Sequence, residues 1–262
     1  IWAKKLYGSV AGVFALFLYS LCLNIIANSE LVTNDIGGTL FIFLSIYTIW
    51  LFYKNPSFKN LLLSGFVFGL ALMSKYYALH FIPVIIILLL IAFYKNKKSM
   101  AIYKFRKTTK INKLLNALFM IIIFFFASWL TLNLGYKFEG TFHSLEYNIL
   151  KDPAVDKSIY KGLIEKSAYL IPFKDRKTSI KVVEYSASNI PIMIPYHYAK
   201  GIFLVSDMIN EKFSKDFYFL GQIYEKPPHY YYLFMFLLKV QIPLLIFIIL
   251  TPCVLSLSIE EL

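Results

Sequence analysis

The chain of 262 residues is 58% hydrophobic and only 16% charged, with a mean hydropathy of +0.62, outside the profile of a water-soluble globular domain. Its formal net charge of +12 would suit a nucleic-acid partner if the cations formed one stripe, but they fall in clusters between apolar runs, so that partner is excluded. The chain opens on Ile1, with residues 1–8 reading as the flank of a helix and no signal-peptide pattern, so an internal piece of a longer protein is expected.

In chain order, apolar runs occupy 9–28, 36–53, 61–74, 78–94, 114–134 and 231–255. A helix crosses the hydrocarbon core with roughly 20 residues, so most of these runs read as spans and the 61–74 run is short. A single bent helix over 61–94, broken near Pro83, is the alternative for the third and fourth runs. Charge parity favours a break at Ser74-Lys75-Tyr76-Tyr77. With it, Lys4 and Lys5, Lys54 and Lys59, and the run from Lys95 through Arg106 to Lys113 all lie on one side, as the positive-inside rule requires. The opposite side then receives the acids, at Glu30 and Asp35 and across 136–230.

These readings predict an all-α fold: a polytopic transmembrane bundle with a mainly helical extracytoplasmic loop domain. The regions are 1–135, with about five helices and a basic cytoplasmic loop at 95–113; 136–230, the loop domain; and 231–262, a last helix and its cytoplasmic flank. The loop is too rich in Tyr, Phe and Ile to be a linker. Its prolines punctuate short elements, and Ile190–Ile209 is its most amphipathic stretch. Cys22 and Cys253 each sit in an apolar run without metal-ligand spacing, which assigns them a buried apolar role.

Soluble-enzyme motifs are missing from the sequence: there is no Gly-rich phosphate loop and no nucleophile elbow. The candidates are ionisable groups at membrane boundaries, where a charge is costly to keep. Asp35 stands at the entry to the 36–53 run, where it either caps the helix or, with Glu30, lines a polar pocket for hydroxyl groups. Lys75, with Tyr76 beside it, either snorkels to the interface or holds a phosphate at headgroup depth. Gly65 and Gly69, four residues apart, would let a neighbouring helix pack closely. Glu139 and His143 follow one apolar run, and Glu225 and His229 precede another. They are candidates for substrate contacts, and a divalent metal is a further use of the same four side chains, although their spacing is not diagnostic and no metal ligand is assigned. Tyr230-Tyr231-Tyr232 reads as an interfacial aromatic belt, and Lys239 inside the last run needs a partner.

Several stretches together resemble bacterial membrane glycosyltransferases of the C-type (GT-C) fold, related to protein O-mannosyltransferases. They are Ala27 to Asp35, the Gly-Leu-Ala-Leu-Met-Ser-Lys ending at Lys75, Gly135 to Gly140, Tyr218 to Gly221, and His229 through Tyr232 to Pro243. The resemblance implies a polyprenyl-phosphate sugar donor and an active site on the extracytoplasmic side of a bacterial plasma membrane. It also implies inverting transfer to a hydroxyl of a protein, glycan or lipid acceptor. The family's general base lies in the first outer loop, before the start of this chain, so the base is expected to be absent and Asp35 matches the family's second acidic position. A transporter or flippase for a lipid-linked or small substrate is the competing reading, since broken helices and membrane-depth charges occur there too.

Overall fold

The computed structural model describes residues 1–31, 35–95, 110–151, 164–165, 168, 175–202, 205, 217–224, 227–240, 242, 244–246 and 250–251. The greater part of the basic loop at 95–113, together with Thr33, Asn34, Glu225 and Cys253, lies outside the described residues. The chain forms two compact units, one from Ile1–Ile36 with Met208–Leu262 and the other from Gly37–Asp207.

In the first unit, α1 (Trp2–Ser20) is interrupted at Gly8, whose φ of 90° is open to glycine but costly for other residues. It is followed by α2 (Leu23–Glu30), and the two meet at 55°. The predicted continuous run over 9–28 is therefore bent at Leu21 and Cys22. No Pro or Gly stands there. The Ser20 hydroxyl donates to the Leu16 carbonyl at 2.8 Å, a back-bond of the kind that bends helices. Cys22 is half-buried at the bend. A short antiparallel hairpin, β1 (Phe217–Phe219) and β2 (Gln222–Tyr224), is a local exception to the helical fold.

In the same unit, α9 (Tyr231–Lys239) is interrupted at Val240, which is extended, within the run that the sequence alone predicts as continuous, and the described residues 242, 244–246 and 250–251 are helical again. α9 ends four residues before Pro243 in the sequence. A proline four residues on has no N–H to offer the Lys239 carbonyl, and its ring would crowd it. That carbonyl instead accepts the side-chain amide of Asn24 at 2.7 Å. This contact serves the backbone of Lys239 and not its ammonium group.

In the second unit, α3 (Asp35–Lys54, of which the first two residues belong to the first unit), α4 (Phe58–Ser74), α5 (Ile82–Lys95) and α6 (Lys110–Gly135) carry the apolar core. A 3-10 turn, Tyr76–Phe81, separates α4 from α5, so the chain breaks at Lys75 and not at Pro83. Pro83 sits in the first turn of α5, where its missing N–H breaks no helical bond. By length and apolarity, three stretches among the described residues can cross a membrane: Asp35–Lys54, Tyr76–Lys95 and Leu114–Gly135. The bent pair α1–α2 makes a fourth if counted as one span, and Phe58–Ser74 is shorter but apolar.

The tightest packing is between α4 and α6. A Cβ added at Gly65 would lie 2.8 Å from the Ala127 Cβ, and one at Gly69 would lie 2.7 Å from the Ser128 carbonyl, so both glycines face α6 with no room to spare. This is the close approach expected of the pair. Ser128 donates to the Gly65 carbonyl at 2.9 Å across the interface. Other buried hydroxyls are satisfied within their own helices: Ser45 on Phe41, Ser64 on Asn60 and Thr131 on Ala127. Phe68 stacks on Phe124 at 5.7 Å, and Ile49, Phe52, Ile85 and Leu89 complete the core around them.

Beyond α6 lie α7 (Leu145–Lys151) and α8 (Arg176–Asn189), the latter capped by Asp175, which accepts from the Lys177 N–H at 3.2 Å. The predicted element at Ile190–Ile209 begins later than expected. Ile190 to Pro195 is irregular around two prolines, and helix starts at Tyr196.

Gly65→Leu and Gly69→Leu should each destabilise the protein by about 1–3 kcal/mol, the usual range for overpacking. Gly37→Ala, where an added Cβ meets nothing within 4 Å, should leave stability unchanged or slightly raised. Thermal unfolding in detergent micelles measures both. Identical midpoints for Gly69→Leu and Gly37→Ala would contradict the close α4–α6 contact.

Candidate functional site

The break between α4 and the 3-10 turn places Lys75 at the end of an apolar helix with an extended backbone, φ −153° and ψ 134°. Its N–H still donates to the Ala71 carbonyl at 3.1 Å, and its own carbonyl accepts from Ala78 at 3.1 Å. The residue is therefore fixed at both ends of its peptide while its side chain leaves the helix. Lys75 Nζ lies 5.9 Å from the centre of the Tyr77 ring, a cation–π arrangement. Its stem crosses α3 at Gly38, where an added Cβ would come within 2.6 Å of Lys75 Cγ. Any larger residue there would push the lysine aside.

Tyr76 turns the other way. Its ring lies 5.2 Å from that of Tyr198, which in turn is 6.1 Å from Tyr136. The Tyr76 hydroxyl sits against Gly201, where an added Cβ would overlap it. The 3-10 turn, the end of α6 and the helical segment 196–202 thus meet on three phenol rings. Tyr198 is 2% exposed, and its hydroxyl has no hydrogen-bond partner among the described residues. Burial, and then its phenol neighbours Tyr136 and Tyr76, raise its pKa well above the ordinary phenol value. Tyr136 is raised for the same reasons, burial first and Tyr76 second. Both phenols are neutral at physiological pH, so the cluster is a polar, uncharged wall behind Lys75.

The end of α6 is clamped beside this wall. Asn133 is fully buried, and its side-chain oxygen accepts from the Thr141 hydroxyl at 2.7 Å. Between them the chain takes left-handed conformations at Lys137, Phe138 and Gly140, and again just beyond them at Phe142. At Gly140 this is required twice over: φ is 70°, and an added Cβ would strike Asn148 Oδ1 at 2.6 Å. Segment 190–196 closes the clamp. Phe142 N–H donates to Ile192 at 2.9 Å, Tyr196 N–H donates to Glu139 at 3.0 Å, and Trp129 Nε1 donates to the Met193 carbonyl.

The predicted site residues separate into several places. Glu30 is exposed in the last turn of α2, where the helix dipole disfavours an acid, so helix stability does not explain it. Asp35 is in the first turn of α3, where the dipole favours it. Glu139 faces His197, with Oε1 3.3 Å from Nε2, both side chains being exposed. His143 stacks on Tyr147 at 4.6 Å. His229 is exposed in the turn before α9. Glu139 and His143 thus contact different neighbours, and among the described residues no three His, Cys, Asp or Glu side chains gather within reach of one metal ion. His197, Tyr198, Gly201 and Gly38 were not anticipated. The only local sign of them is the aromatic run Tyr196-His197-Tyr198 after Pro195.

An apolar groove of about 470 Å³ runs along the outside of α4 and α6, lined by Leu62, Phe66, Leu70 and Met73 on one side and Leu130 and Leu134 on the other. It ends at Met73, two residues before Lys75.

No curated protein and no solved structure matches the chain. A family model does match, over α1 to most of α6, a stretch that holds Glu30, Asp35, Lys75 and Tyr76 and leaves out Glu139, His143, Glu225 and His229. Residues 1–129 match the model of the dolichyl-phosphate-mannose-protein mannosyltransferase family, a family of membrane glycosyltransferases to which this part of the chain is similar.

Proposed function

We propose that the chain takes part in moving a sugar from a polyprenyl-phosphate donor to a hydroxyl of a protein, glycan or lipid acceptor, at the extracytoplasmic face of a bacterial plasma membrane. The observation that carries this reading is Lys75, held by its backbone at the C-terminal end of an apolar helix within the family match. In such a transfer the acceptor oxygen attacks the anomeric carbon while the bond from that carbon to the phosphate oxygen breaks. The acceptor proton passes to a carboxylate, and negative charge collects on the departing phosphate. Lys75 answers that charge, and Tyr76 presents the phenol wall behind it. The groove ending at Met73 gives the prenyl chain an apolar path along α4. Asp35 and Glu30 are the carboxylates assigned to sugar and acceptor hydroxyls. Glu139, His143, Glu225 and His229 are assigned to substrate contacts.

The reading is tested on the full-length protein, by titrating purified wild type and variants with a polyprenyl-phosphate sugar. Lys75→Met should weaken donor binding by about 1–3 kcal/mol, the range for a lost hydrogen bond to a charged group. Asp35→Asn should lower turnover more than it lowers donor affinity. A lysine that only snorkels to the interface predicts unchanged affinity and altered insertion or stability, and equal titration curves would remove Lys75 from the phosphate role.

Orientation has its own test. With Cys22 and Cys253 replaced, cysteines at Lys98 or Arg106 should be shielded from an impermeant thiol reagent in intact cells, and cysteines at Lys157 or Lys177 should label. The reverse pattern would put the proposed site on the cytoplasmic face.

A further inference from the structure

The hairpin β1–β2 has two unlike faces. Register pairs Tyr218 with Ile223 and Phe219 with Gln222, so Tyr218 and Ile223 share one face and Phe219 points to the other. Phe219 is 4% exposed, packed against Tyr230, Tyr231 and Phe234 at ring separations of 6.0, 5.1 and 5.4 Å. This contact explains how so short a hairpin persists, since two isolated strands are marginal in water. The opposite face is bare: Tyr218 is 71% and Ile223 69% exposed.

The turn adds a second observation. Leu220 and Gly221 both have positive φ, 50° and 82°, the pattern of a two-residue hairpin turn in which Asn or Asp ordinarily precedes Gly. Leucine is a poor choice for that backbone, and here its side chain is 64% exposed at the tip. Neither the turn geometry nor burial inside the protein accounts for an apolar residue there. The stretch 217–224 contains no charged residue at all.

What covers this face is indicated by the helix to which the hairpin is fastened. Tyr232, Leu233, Phe236, Leu237 and Leu238 are all exposed on α9, at positions that run most of the way around it. In a membrane protein a helix apolar on nearly every side lies in lipid. The hairpin packs on the first turn of that helix, beside the tyrosine belt, so its bare face continues the lipid-facing surface at interfacial depth. We propose that β1–β2 is a membrane-surface wedge, with Leu220, Tyr218 and Ile223 seated among lipid headgroups and the upper acyl chains. It holds the entry to α9 at a fixed depth and does not depend on which donor or acceptor the enzyme uses.

The test uses the full chain, with Cys22 and Cys253 replaced by Ser, reconstituted in mixed phosphatidylcholine and phosphatidylglycerol vesicles and carrying a nitroxide at Leu220→Cys, Ile223→Cys, Leu233→Cys or Lys177→Cys. Collision with oxygen relative to a water-soluble nickel chelate should place Leu220 and Ile223 with Leu233, on the lipid side, and well above Lys177. A ratio at Leu220 and Ile223 equal to that at Lys177 would overturn the proposal. So would labels shielded from both reagents, which would mean that protein covers the face. The unmodified protein gives an independent reading: a lipid bearing a photoreactive group just below its headgroup should attach to the 217–224 peptide, and an unlabelled peptide beside a labelled α9 would also overturn it.

Discussion

Gly65 and Gly69 leave the α4 backbone bare on the side facing α6, and the Ser128 hydroxyl uses that gap to reach the Gly65 carbonyl. In lipid, apolar area gives little drive for two helices to associate, because the tails are as apolar as the side chains; close packing and a few polar contacts must suffice. The rest of the second unit depends on this contact. It fixes where α4 ends, and so where Lys75 leaves the helix. It also brings Met73 against Gly135, at the point where α6 gives way to the clamped turn carrying Tyr136. A change in the helix spacing would reach the lysine and the phenol wall together.

Among the described residues that follow α6, polar groups satisfied by one another hold the first turn in place. Asn133, Thr141 and Asn148 tie a strongly curved segment to the end of α6, and backbone bonds from residues 190–196 close it. Three non-glycine residues with positive φ are held within this one turn, a cost of order 1–3 kcal/mol each that surrounding contacts have to offset. Such geometry fixes the direction of Lys137 and Glu139 far more closely than a loose loop would. Glu139 meets His197 only because Tyr196 is bonded back to the Glu139 carbonyl.

Much of this was legible in the sequence. The apolar runs give the helices, Lys75 between two of them gives the break, and the glycine spacing gives the close helix pair. Each is a local signal with a known period. The tyrosine cluster was not legible, because Tyr76, Tyr136 and Tyr198 are brought together from three distant segments and Gly201 has meaning only once Tyr76 lies against it. The bend at Cys22 carries no proline or glycine. The hairpin escaped notice because its strands are three residues each and its turn is Leu-Gly, which lacks the Asn or Asp that announces such turns. Among the candidate site residues, Lys75 and Asp35 stand out in the sequence because a charge interrupts apolar surroundings there. It could not tell which loop residues face one another, since that depends on contacts between positions about sixty residues apart.

The bond from Asn24 to the Lys239 carbonyl joins residues 215 positions apart in the chain. A membrane protein is threaded into the bilayer from its N-terminus as it is made, so Asn24 enters long before its acceptor exists. Through that interval the amide must rest on water, lipid headgroups or a temporary partner. This contact of the first unit can close only after everything between Asn24 and Lys239 has been made. A chain stalled or cut short before Lys239 would have its spans in place and yet be left with an unsatisfied amide near the bilayer, a feature that quality control could read as the mark of an unfinished protein.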